Sequence, residues 1–193
     1  MAKTLADLRP AERLQLGIAV HEAAHPTLAV INGATIDRAE VLRGGPRTNP
    51  DGVGGVCRYR PGPTDFAAQL RRPDTVAAGT VGEAIWHGQR PSPVQLSALL
   101  DKISHDRDEL AALARLHRER PMDALTAAMP LMLRCWQPIA RLASQLHFDG
   151  EIDHAAVLAA LGVPSAEDAS HYAAMIRSGA APGSFTVGVP VRF

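Results

Sequence analysis

The segment 11–32, AERLQLGIAVHEAAHPTLAVIN, constrains the fold more than any other part of this chain. It reads as one helix closed by Gly33 at the C-terminal cap position. Leu14, Ile18, His21, His25 and Leu28 are spaced four, three, four and three apart, which predicts a single shared face. Two histidines are thereby set into an apolar stripe, where their ring nitrogens need partners within the fold. Pro26 follows the second histidine. It lacks the N–H that would bond the carbonyl of Glu22 and is expected to kink the helix.

The rest of the chain can supply the surroundings such a helix needs. Its 193 residues are 46% hydrophobic, enough for a sizeable core, and alanine and leucine predominate over the 4% of aromatics. Twenty basic and twenty acidic residues cancel, which argues against a nucleic-acid partner. Cys57 and Cys135 are the only cysteines, so neither a disulfide scaffold nor a cysteine zinc site is expected. With no leader-like or membrane-length apolar run, the expected address is cytoplasmic, with no membrane partner.

Residues 35–43 read as a strand, GGPRTNPDGVGG as a loop and VCRYR as a second strand, together a β-hairpin. Helices follow from Pro73 to about Trp86, from Val94 to Arg120 with a break near Ser104, and around Pro121 and Pro130. LRCWQPIARLASQL gives a further helix, and EIDHAAVLAAL a last short one. The expected class is mainly α with a small β-hairpin or three-stranded edge sheet. A principal domain spans 1–162, and 163–193 forms a C-terminal extension with one helical piece and a strand-like SFTVGVPVRF, able to pair with a sheet edge or a second copy.

His21-Glu22-Ala23-Ala24-His25 matches HExxH. Histidines four apart lie one turn above each other and can reach one zinc ion, while the glutamate beside them can take a proton from zinc-bound water. The third ligand is open at this point. No histidine follows until His87, which excludes the extended metzincin pattern; a glutamate ligand would point to Glu83, and an aspartate ligand to the segment SHDRDEL.

The chain resembles the peptidase domain of the FtsH-type AAA zinc metalloproteases. HEAAH resembles that family's HEAGH helix, and TIDRAEVLRGG with GVGGVCRY its hairpin beside the active site. AGTVGEAIWHG, residues 78–88, matches AGRAAEELxFG; SHDRDELAALAR resembles the helix carrying the third ligand; IARLASQLHFDGEID resembles the closing segment. Ala24 stands where the family has glycine, and Gly82 where it has alanine. Together the matches span roughly residues 12–160. No Walker A pattern is present, so the implied activity is independent of ATP.

The resemblance places the third ligand at Asp106. Periodicity supports this, since Asp106 shares a face with Leu99, Ile103, Leu110 and Leu113, whereas Asp108 falls on the opposite side. A helix-capping carboxylate at Asp106 and His105 as ligand remain alternatives. Glu83 is read either as a residue that orients a ligand or as a solvated helix residue. The implied function is hydrolysis of peptide bonds in peptides or flexible segments. His21, His25 and Asp106 would hold Zn²⁺, Glu22 would act as base, and an extended peptide would pair with the edge strand at Gly54, Gly55 and Val56. Two further readings stay open: a zinc-binding interaction module without catalysis, and a zinc hydrolase or biosynthetic enzyme for small molecules.

Overall fold

Helix α1 (Pro10–Ile31) starts with proline at its first position, where a missing N–H costs nothing. It ends in a Schellman motif: Gly33, at φ 90°, donates its N–H to Val30 and Ala34 donates to Ala29. The computed structural model describes residues 8–43, 53–60, 71–88 and 90–185. From Ala19 to Ile31 every residue of α1 except His25 is buried, and the helix runs unbroken through Pro26. The expected single face is therefore corrected. Leu14 at the start of that stripe is 36% exposed, and α1 is covered on several sides by α2, α6, α8 and the sheet. A helix apolar all round is what a central position requires.

The sheet has the order β2-β1-β3, all antiparallel, with β1 (Thr35–Arg43) in the middle. Strand β2 (Val53–Arg60) begins earlier than the sequence predicts: Gly54 and Gly55 pair with Leu42 and Val41 and belong to the strand, not to a loop. The remainder of the expected loop, 44–52, lies outside the described residues. Strand β3 (Glu151–Ile152) occupies two residues expected to be helical, and the helix after it starts only at His154, capped by Asp153 accepting from Ala156 N–H at 2.8 Å. Among the described residues β2 is an edge.

Seven more helices complete the described fold: α2 (Arg72–His87), α3 (Pro93–Leu100), α4 (Ser104–His117), α5 (Pro121–Arg134), α6 (Trp136–Asp149), α7 (His154–Leu161) and α8 (Ala169–Ser178). The predicted break in 94–120 falls at residues 101–103, and α5 continues through Pro130. The molecule is thus mainly helical with a small three-stranded antiparallel sheet, as the sequence predicts. Tyr172 and Ile176 of α8 are buried in the same apolar cluster as α1. The ring of Phe185 meets Tyr172 edge-on, with centroids 4.7 Å apart. Residues 186–193 of the predicted tail strand lie outside the described residues. No described helix is long and apolar enough to cross a membrane.

Candidate metal centre

Two elements bring three polar side chains together inside this core. His21 and His25 project from the middle of α1, and Asp106 from the first turn of α4. The two Nε2 atoms are 3.2 Å apart, and Asp106 Oδ2 lies 3.5 Å from that of His21 and 3.7 Å from that of His25. Asp106 is 3% exposed on the buried face it shares with Leu110 and Leu113. It makes no capping bond; the residue at the N-cap of α4 is Ile103. His105, the alternative ligand, stands outside the cluster with its side chain 90% exposed beside Glu109.

Hydrogen bonding fixes what the two rings can offer. His25 Nδ1 donates to the carbonyl of Thr75 at 3.0 Å, which leaves Nε2 with a lone pair. His21 Nδ1 faces Glu83 Oε2 at 3.3 Å, which likewise favours the proton on Nδ1. With both rings neutral in that form, two nitrogen lone pairs and a carboxylate oxygen converge, an arrangement that a bound cation, metal ion or proton, stabilises. Three ligands held at about 2.1 Å from one ion at tetrahedral angles lie about 3.4 Å apart, and the observed triangle has those dimensions. This buried cluster can hold a metal ion.

The surrounding charge agrees. Burial pulls the His21 imidazole down, but the contact with Glu83 and the charges of Asp106 and Glu22 outweigh it and raise His21 to about 9. Burial pushes Glu83 up, yet His21 and His87 hold it below the usual carboxylate range. A site that retains a proton this strongly is one that attracts any cation.

Glycine and threonine let the backbones close on the cluster. A Cβ on Gly79 of α2 would fall within 3.0 Å of Nε2 of both histidines. Thr80, one residue on, donates its hydroxyl to Asp106 Oδ2 at 3.3 Å. Sequence reasoning missed Thr75 and Thr80. The signal available was their position, with Gly79 and Glu83, at helical spacing along α2.

Glu22 is 7% exposed, and burial pushes its carboxyl up while His21 and His25 pull it down, with a net upward result. It lines a cavity of about 470 Å³ together with His21, His25, Asp106, Gly55 and Cys57. Strand β2 forms the opposite wall. A Cβ on Gly55 would overlap Cγ of Glu22, so only glycine lets the strand lie directly over that side chain. Val56 lines the same cavity, whereas Gly54 does not. Comparison with protein families, curated proteins and solved structures finds no match to this chain.

Proposed function

We propose that this chain is a zinc-dependent peptidase related in its catalytic core to the FtsH-type peptidases. His21, His25 and Asp106 are the ligands and Glu22 the general base. The observation that carries the reading is that Glu22 and strand β2, an edge among the described residues, face the same cavity as the three converging ligand atoms.

Nitrogen and carboxylate donors in this number suit zinc, which supplies Lewis acidity toward a carbonyl and acidifies water when bound. Glu22 accepts the proton of the attacking water as its oxygen bonds to the peptide carbonyl carbon. It then delivers that proton to the departing amine nitrogen as the C–N bond breaks. Burial suits Glu22 to both steps, because a raised carboxyl holds a proton more readily than an exposed one. The main chain of β2 at Gly55 and Val56 would pair with an extended substrate and hold its scissile bond over Glu22. Thr75 fixes the tautomer of His25, and Glu83, 3.3 Å from Nδ1 of His21, places a negative charge where it favours a proton on that atom.

The two departures from the family motif support the relationship. Ala24 and Gly82 face each other across α1 and α2, where a Cβ on Gly82 would fall 2.9 Å from the Cβ of Ala24. A family with glycine at the first position and alanine at the second keeps one methyl at that crossing, as this chain does from the other side.

A cavity of about 470 Å³ also fits a small-molecule substrate of the same chemistry, so the test must separate the two. Wild type, chelated protein and Glu22→Gln are incubated with a proteome-derived peptide library read by mass spectrometry. Cleavage by wild type that stops with chelator and falls at least about a hundredfold in Glu22→Gln, with zinc content unchanged, supports the peptidase. Cleavage unchanged in Glu22→Gln sinks the mechanism. No cleavage by zinc-loaded wild type removes the peptide substrate.

A further inference from the structure

A second cavity, separate from the candidate metal centre, lies where the C-terminal end of α1 meets the starts of α2 and α7 and one side of α8. Its volume is about 370 Å³, and its lining includes Asn32, Arg71, His154, Ser170 and Arg177. Among the described residues no carboxylate lines it. Neither Arg71 nor Arg177 forms an ion pair among the described residues.

Several polar atoms here lack partners. Arg71 Nε is buried and unbonded, and Asn32, 7% exposed, has an unbonded Oδ1. The amide nitrogen of Asn32 is committed, donating to Thr75 Oγ1 at 3.0 Å and to the carbonyl of Arg71 at 3.3 Å. His154 Nδ1 accepts from the N–H of Ile36 at 3.3 Å, so its Nε2 carries the proton and is a donor. Burial and the charge of Arg71 hold Arg177 below its ordinary range, as expected for two guanidinium groups with no anion between them. Part of this has a local explanation: Arg177 donates to the carbonyl of Ile31, a cation at the end of α1. That bond does not account for Arg71, whose charge is felt by Asp74 but whose side chain makes no hydrogen bond among the described residues, nor for the orphaned Asn32 oxygen.

We infer that this cavity binds a small molecule bearing an oxyanion, phosphoryl or carboxylate, next to a hydroxyl or amine donor. The oxyanion sits between Arg71 and Arg177, with Arg71 Nε and His154 Nε2 as further donors; the donor group meets Asn32 Oδ1. Guanidinium forks match the geometry of such oxygens, and the cavity exceeds the size of a bare phosphate ion.

The test is calorimetry at constant ionic strength with three probes: inorganic phosphate, malonate and glycerol phosphate. Saturable binding near one per chain, with a midpoint in the millimolar range or below, is expected for at least one probe. Tighter binding of phosphate than malonate assigns the phosphoryl group, and the reverse assigns the carboxylate. A gain for glycerol phosphate over phosphate reports the donor facing Asn32. Arg71→Gln, which removes no bond present in the structure, should weaken binding at least about tenfold while the melting temperature stays close to wild type. Arg177→Lys keeps a cation on Ile31 but loses the fork, and should weaken binding as well. Binding at the metal centre instead would be indifferent to both variants. Equal affinity in wild type and Arg71→Gln, or no saturable binding of any probe up to about 10 mM, overturns the inference.

Discussion

The backbone of Gly79 rests against the imidazole of His25, so close that a Cβ there would fall within 3.0 Å of Nε2 of both His25 and His21. Helix α2 thus forms the floor of the candidate metal cluster, and the packing leaves no room for a side chain at this point. Exposed glycine-to-alanine changes in a helix interior usually stabilise by up to about 1 kcal/mol. Here the methyl must displace a ligand ring. Gly79→Ala should lose metal affinity at least about tenfold, measured by competition against a coloured chelator, and should melt below wild type. A more stable Gly79→Ala with unchanged affinity would mean that the rings can move aside and that the three-ligand geometry is not held by packing.

Asp106 gives a sign test between a metal centre and a structural ion pair. In zinc-loaded protein Asp106→Asn removes a ligand and should destabilise. With chelator the same change removes a carboxylate that favours the charged form of His21, so a loss remains but should be clearly smaller than with zinc. Zinc at a hundred times its dissociation constant should stabilise wild type by about 2.7 kcal/mol, or roughly 5–10 °C for a chain of this size. Asp106→Asn should show little of that gain. Thermal melts with zinc and with chelator give both numbers. An equal loss of stability in the two conditions would make Asp106 a structural partner of His21 only.

The contact between Ala24 and Gly82 allows a double-mutant cycle. Gly82→Ala alone sets two methyls 2.9 Å apart, with Met132 Cε at 3.1 Å, and should cost about 1–3 kcal/mol. Ala24→Gly alone opens a gap in the buried helix and also loses helix propensity, for about 1–2 kcal/mol. Together they restore one methyl at the crossing, so the pair should be more stable than the sum of the singles by at least about 1 kcal/mol. Denaturant melts of the four proteins measure the coupling. Strict additivity would show that α1 and α2 do not meet here as described.

The legibility of these features differed for physical reasons. Helix α1 and its end were readable because a glycine at positive φ and a run of helical spacing are local signals, and the observed span differs from the predicted one by a residue. Asp106 was singled out by the resemblance, and Leu110 and Leu113 marked its face as a buried one. The surroundings of α1 were not. Periodicity identifies one apolar face, whereas alanines on the remaining faces gave no warning that the sheet and α8 would cover them too. Gly54 and Gly55 looked like loop residues because glycine is scarce in strands, and what recruits Gly55 to β2 is the close approach of Glu22, a tertiary contact. A two-residue strand such as β3 has no period to detect.

Asp74 offers a prediction outside both cavities. It lies in the first turn of α2, where burial and the charge of Glu119 push its carboxyl up to about 6 against the pull of Arg71. A carboxyl raised above its unfolded value near 3.9 costs the folded state nothing at low pH, where both states hold the proton. The cost grows as pH rises from about 4 to 6 and is constant above. Asp74→Asn removes this penalty. The full shift would correspond to about 3 kcal/mol, but a half-buried group is partly screened, and the charge is also favourable at a helix N-terminus, so about 1 kcal/mol is expected near pH 7. Asp74→Asn and wild type should therefore melt alike at about pH 4 and diverge through about pH 6, with the variant the more stable. The melts should be run without phosphate, since an anion bound at Arg71 would alter the charge that Asp74 senses. A difference between the two proteins that does not change with pH would show that Asp74 titrates as an ordinary exposed carboxyl.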